Sequence, residues 1–426
     1  MRSRVFLPLL AALSLAAALD SRDAEASRLF VPGQHRGLQQ AIDAAAAGDT
    51  IWVAAGVYHG PFTLKKSLVL FADGGPDSTI LDGGDSVRVL HVEGVKGGAI
   101  IGFQIRRGKA IAGGGIYGVR DSSFSIDTCT FRKNWESGAA FWESDAIKVS
   151  DCLFEENQGC ALQLHQTRSF ILKSQFLRNR GGGGGAIYLD RSDLLFPLRH
   201  CRFEENRAEK TMGGAVLIDS SRATLANCTF RKNFSVVAGG AVAAIHRAFV
   251  SVSRCELVEN NAAQAGALHS DASQLLVGLS VFDRNRATAG GAAIGVLARY
   301  DANVNPTFSN NTFYKNTTEG SGGTVFAVKS SPEIRKNIFV VEGTDQLAVA
   351  GIQSSPLYEC NLIHDPAGGA PGSLPSPDTL VGDPRFCDPA KGAFELRDLS
   401  PALLAKCGPV GARPRGCASF QLQPAK

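Results

Sequence analysis

Gly184-Gly185-Ala186-Ile187-Tyr188-Leu189-Asp190, followed after one turn by Cys201-Arg202-Phe203-Glu204-Glu205-Asn206, is the stretch whose reading decides the fold, because both halves recur. The phrase Cys-x-Phe-x-x-Asn stands at Cys129 to Asn134, Cys152 to Asn157, Cys201 to Asn206 and Cys228 to Asn233. Looser copies run from Ser174 to Asn179, Cys255 to Asn260 and Ser280 to Asn285, and Asn311 to Asn316 keeps the Phe and the last Asn. The Phe slot, read as Phe131, Phe154, Phe176, Phe203, Phe230, Leu257, Phe282 and Phe313, advances in steps of 23, 22, 27, 27, 27, 25 and 31 residues. A period of this size marks a solenoid.

The other half is small-small-Ala-aliphatic, as in Gly213-Gly214-Ala215-Val216, Gly239-Gly240-Ala241-Val242 and Ala265-Gly266-Ala267-Leu268, with Gly322-Gly323-Thr324-Val325 as a late variant. Within one coil, Ile187 and Leu189 alternate with Tyr188 and Asp190, so one set faces inward and the other solvent. A turn at Arg191-Ser192-Asp193, a strand from Leu194 to Leu198 and a second turn at His200 return the chain to Cys201 and Phe203 in the core. Three short strands per coil, stacked in parallel, make an all-β right-handed parallel β-helix. The Phe residues form a core ladder in which each cut to Ala is expected to cost about 3 to 5 kcal/mol. The Asn residues at 134, 157, 179, 206, 233, 260, 285 and 316 are expected to leave the core at a tight left-handed corner and to bond one another along the axis.

Met1 to Ala26 reads as a secretory signal peptide: Arg2 and Arg4 precede an apolar run from Val5 to Leu19, and Ala24-Glu25-Ala26 offers a cleavage site. No later stretch would span a membrane. Residues 27–75 read as an N-terminal cap with a helix over 38–47 and the first strands, 76–365 as the repeats, and 366–426 as a C-terminal cap and tail. The segment from Asp365 to Asp378 reads as a loop. A formal charge of +4 with scattered Lys and Arg gives no basis for nucleic-acid binding. Of ten cysteines, Cys129, Cys152, Cys201, Cys228 and Cys255 share a slot that Ser174 and Ser280 fill elsewhere, which predicts a buried thiol stack. Cys360, Cys387, Cys407 and Cys417 lie beyond the repeats and are the disulfide candidates, with pairing open.

The pairing of Gly-Gly-Ala-Ile/Val with Phe-x-x-Asn, over roughly Gly113 to Val325, resembles the repeat of chlamydial polymorphic outer-membrane proteins. That resemblance implies a β-helix and, more distantly, adhesion, although the C-terminal membrane barrel of that family has no counterpart in this sequence. Gly48-Asp49-Thr50-Ile51-Trp52-Val53, Gly56-Val57-Tyr58, Gly382-Asp383-Pro384-Arg385-Phe386 and Leu399-Ser400-Pro401-Ala402 resemble the caps of secreted bacterial β-helix proteins of the pectin-lyase-like superfamily. The superfamily includes polysaccharide lyases and hydrolases. The Asn-Thr-Asp, Asp-Asp and Gly-His-Gly set of polygalacturonases and the Trp-Ile-Asp-His phrase of pectate lyases are absent.

Aligning the coils on the Gly-Gly-Ala phrase predicts an outward acidic row of Glu143, His165, Asp190, Asp219, Ile245 and Asp271. Beside it lies a row of Phe141, Gln163, Tyr188, Leu217, Ala243 and His269. With coils about 4.8 Å apart, such rows would span several sugar rings. Asp and Glu at this position also serve to begin a turn. Asp190 and Asp219, on adjacent coils, are the catalytic candidates, suited to acid and base work or to holding Ca²⁺. Two readings follow: a non-catalytic exported or cell-surface protein of a bacterium that binds polysaccharide or surface glycan, or serves as an envelope element; and a lyase or hydrolase of an acidic polysaccharide with Arg191 or Arg222 on the substrate carboxylates. No other cofactor is called for.

Overall fold

The computed structural model describes residues 26–194, 197–298, 304–320, 322–342, 349–367 and 376–417. The expected leader lies almost wholly outside them, as do parts of the expected 365–378 loop and of the tail. Three long parallel sheets wrap a single core. The first runs from Arg28–Val31 to Leu357–Glu359, the second from Phe62–Leu64 to Val349–Ile352, and the third from Gly56–His59 to Leu380–Val381. The helix spans Leu38–Ala44, shorter than expected, and buries Leu38, Ala41 and Ile42 over the first coil.

A fourth sheet of seven short strands, from Gln158–Gly159 to Thr317–Thr318, corrects the expectation of three strands per coil. It forms from the segment between each Asn and the next small-small phrase. Where that segment recurs with similar length, neighbouring copies satisfy one another's backbone groups as a ladder.

Inside the third sheet the Phe rings stack face to face, with centroids 4.5 Å apart for Phe131 and Phe154, 5.0 Å for Phe154 and Phe176, and 4.8 Å for Phe176 and Phe203. Phe230 continues the row, Leu257 takes the next place, and Phe282, Phe313 and Phe339 resume it. Each Asn lies in the core and does not leave it. Asn157 Nδ2 donates to Asn179 Oδ1 at 2.9 Å and to the Phe131 carbonyl at 2.9 Å, and its backbone N–H donates to the same Asn179 Oδ1. The pattern repeats to Asn316. The left-handed corner falls one residue earlier than expected, at Lys133, Glu156, Arg178, Glu205, Lys232, Glu259, Arg284 and Lys315. Strain of roughly 1 to 2 kcal/mol per such residue is offset because the kink turns the following amide inward to its three partners.

The small-small phrase has a steric cause. A Cβ on Gly214 would stand 2.0 Å from the Gly240 carbonyl oxygen, and one on Gly240 would stand 2.2 Å from that of Gly266. Cys129, Cys152, Cys201, Cys228 and Cys255 are buried and free, as is Cys160. Burial pushes the Cys129 and Cys160 thiols up to about 12. At the same slot Asn311, Asn337 and Asn361 bond one another in a second amide ladder.

Cys360–Cys407 and Cys387–Cys417 are disulfides. They tie down a tail that folds back over the outer face of the third sheet. Phe386, Phe394, Leu396 and Val410 cover Val281, Ile338 and Val340 there, and Arg413 pairs with Glu256. Reduction is therefore expected to release this strap, giving protease cleavage within 384–417 while the coils before Val281 stay protected; equal susceptibility of oxidised and reduced protein would contradict it.

The corner between the second and first sheets carries hydroxyls, with Ser192 Oγ accepting from Thr167 N–H and Ser221 Oγ from Ser192 N–H. Asp121 occupies this corner one coil before Ser144, accepting from Val95 N–H at 2.9 Å. Burial pushes its carboxyl up to about 6. The raised value means that Asp121 favours the folded state below its unfolded value near 4, and that this contribution fades as pH rises through about 6. Asp121→Ser restores the hydroxyl used by neighbouring coils. It is expected to raise stability by about 1 to 2 kcal/mol at pH 7 and to flatten the fall in melting temperature between pH 4 and pH 7. Parallel profiles for the two proteins would count against this.

Candidate functional site

The outer face of the second sheet carries two rows of side chains. In Ile187–Asp190, Ile187 and Leu189 are buried and Tyr188 and Asp190 point outward. Asp190 pairs in register with His165 before it and Asp219 after it, and Asp219 with Ile245. Tyr188 pairs with Gln163 and Leu217, and the row continues through Ala243 to a buried His269. Asp271 stands two residues beyond His269, in register with Leu297.

Two expected members are displaced. Phe141 pairs with Leu164 and is buried in the core, and Glu143 follows the strand at φ 51°. Their places are taken by Ala140 and Trp142, in register with Gln163 and His165. In register, Glu136-Ser137-Gly138-Ala139 stands where others read Gly-Gly-Ala-Ile, so matching Ser137-Gly138-Ala139-Ala140 to that phrase slips by one residue. With a period of two, that slip exchanges inward and outward faces.

The corrected row is aromatic where it begins. The Trp142 and His165 rings stack with centroids 4.2 Å apart, and His165 meets Tyr188 edge-on at 5.4 Å. One coil earlier, the Arg88 guanidinium lies 4.6 Å over the Tyr117 ring, which contacts His91 at 5.7 Å. His165 Nδ1 lies 3.1 Å from Asp190 Oδ2, and Arg191 Nη2 donates to the same oxygen at 2.9 Å. Burial works against the Asp190 charge, but these bonds hold its carboxyl below its usual value. Asp219 is met by His246 Nδ1 at 2.8 Å and by the Ser220 hydroxyl at 2.9 Å. Burial, reinforced by Asp190 and Asp219, pushes the Tyr188 phenol up to about 12.

Beyond Tyr188 the face opens into a groove of about 640 Å³. Its floor is Tyr188, Leu217 and Ile245, with Asp219 and Asp271 along one side and His246 at the edge. The opposite wall is the 209–212 loop with Lys210, Thr211 and Met212, seated by bonds from Lys210 and Thr211 N–H to the Gly182 carbonyl at 3.0 and 2.7 Å. Lys210, Met212 and His246 were not singled out from the sequence, since each lies outside the repeat phrases. Arg222 lies on the first sheet, beyond the turn. Among the described residues, no group of three or more His, Cys, Asp or Glu is placed to hold a metal ion, and no helix is long and apolar enough to cross a membrane.

Among solved structures, the chain is similar to a PL6 alginate lyase in complex with a trisaccharide, at TM-score 0.52 and 12% identity over 85% of this chain and 89% of that one. It is similar to the catalytic domain of a GH87 α-1,3-glucanase in complex with tetrasaccharides, at TM-score 0.50 and 8% identity over 84% and 68%. Pectate lyase Pel9A matches at TM-score 0.39 and 12% identity over 92% and 96%. At such identities the likeness is one of fold. No curated protein matches by sequence. The family described as right handed beta helix region matches residues 77–209 and 185–363, together more than half of the sequence, and the chain belongs to that family.

Proposed function

We propose that this protein is exported and binds a polysaccharide or cell-surface glycan along the outer face of its second sheet, without cleaving it. The observation that carries this reading is the contact row Trp142–His165–Tyr188 leading into the groove beside Leu217. Aromatic faces match the apolar faces of sugar rings, and carboxylates and imidazoles beside them accept and donate to hydroxyls. Coils about 4.8 Å apart repeat on nearly the scale of sugar units.

Binding is favoured over hydrolysis by the state of Asp190. A general acid needs a raised value, whereas Asp190 is held low by Arg191 and His165. Asp190 therefore serves as a fixed acceptor. Ca²⁺ is not required in this reading, because histidines already meet Asp190 and Asp219. Export is supported by the two disulfides and the leader-like start of the sequence.

Trp142→Ala and Tyr188→Ala are each expected to weaken glycan binding about tenfold with little change in melting temperature, since both side chains lie on the outer face. The measurement is titration against a broad polysaccharide panel, with Ca²⁺ and with chelator, followed by assay for released reducing or unsaturated ends. Cleavage lost in Asp190→Asn/Asp219→Asn would overturn the non-catalytic reading. Absence of binding across the panel would overturn the glycan reading.

A further inference from the structure

The groove is unusually apolar for a surface that receives hydroxyl-rich rings. Leu217 and Ile245 on its floor, and Val237 and Met212, give it an apolar lining. Pressing hydroxyls against these side chains strips them of water without giving them partners. A uronic-acid unit fares no better on the acidic side, because Asp219 and Asp271 line it and repel a carboxylate.

Resting on the glycan reading above, we propose that the groove selects sugars carrying an acetamido group, as in polymers of N-acetylated amino sugars, with the methyl against the apolar side chains of Leu217, Ile245 and Met212. Each part of that substituent then has a counterpart. The amide N–H meets Asp219: His246 and Ser220 both engage its Oδ1, and Oδ2 is the oxygen the ligand takes. The carbonyl meets the Lys210 ammonium on the loop opposite. The sugar ring rests on Tyr188, and the next ring toward the N-terminal coils rests on His165 and Trp142.

The test is calorimetric titration of the full mature protein with three tetrasaccharides of the same β-1,4 linkage: N-acetylglucosamine, glucosamine and glucose oligomers. The N-acetylated form is expected to bind about tenfold more tightly than either of the others, from one buried methyl and one hydrogen bond to a charged acceptor. Ile245→Ser, at a half-exposed position, is expected to reduce that preference for the N-acetylated over the glucose oligomer to about threefold or less. Equal affinity for the glucose and N-acetylated oligomers would overturn the acetamido inference and leave the glycan reading standing. Tightest binding of the glucosamine oligomer would overturn it in favour of a plain charge site. Binding of other polysaccharides but none of these three would also overturn it, and no binding of any polysaccharide would overturn both readings.

Discussion

The structure depends on one hydrogen-bonding constraint: a buried Asn is satisfied by the Asn of the next coil together with a backbone carbonyl of the coil before. Asn206 Nδ2 donates to Asn233 Oδ1 and to the Phe176 carbonyl, and Asn206 N–H donates to the same Asn233 oxygen. Removing one amide leaves a buried backbone donor without a partner, at a cost of about 1 to 3 kcal/mol. The amides therefore lock successive coils into one register, and the Phe rings behind them stack at one spacing. Residues five to twenty positions away inherit that register, including those on the second sheet that face solvent.

That inheritance is what makes a surface site from distant residues. Trp142, His165, Tyr188 and Asp219 are spread over some eighty positions of sequence, yet the ladders hold them on adjacent coils. The outer face stands apart from the buried Asn and Phe ladders. Its carboxylates are nonetheless fixed in direction by His165, Arg191 and His246. A rigid row of rings and oriented acceptors loses little freedom when it meets a ligand.

The fold was legible in the sequence because Phe, Asn and the small residues each have a single physical role that recurs. The site was legible only where the repeat is strict: Tyr188, Asp190, Asp219 and Asp271 fall outward as expected, whereas the weak Ser-Gly-Ala-Ala phrase at 137–140 misplaced Phe141 and Glu143. The loop wall was hidden for another reason. Lys210 and Met212 sit between repeat phrases, and bonds to the Gly181 and Gly182 carbonyls and from Gly184 N–H seat their loop beside Leu217. The return of the tail over Val281 and Ile338 is likewise a long-range contact with no periodic signal.

The most direct test is amide hydrogen exchange on the purified protein with and without a saturating glycan from the binding panel. Added protection is expected to be confined to Ala139–Trp142, Ile187–Asp190, Val216–Asp219 and the 209–212 loop. Protection on the outer face of the first or third sheet instead, with the second sheet unchanged, would contradict it.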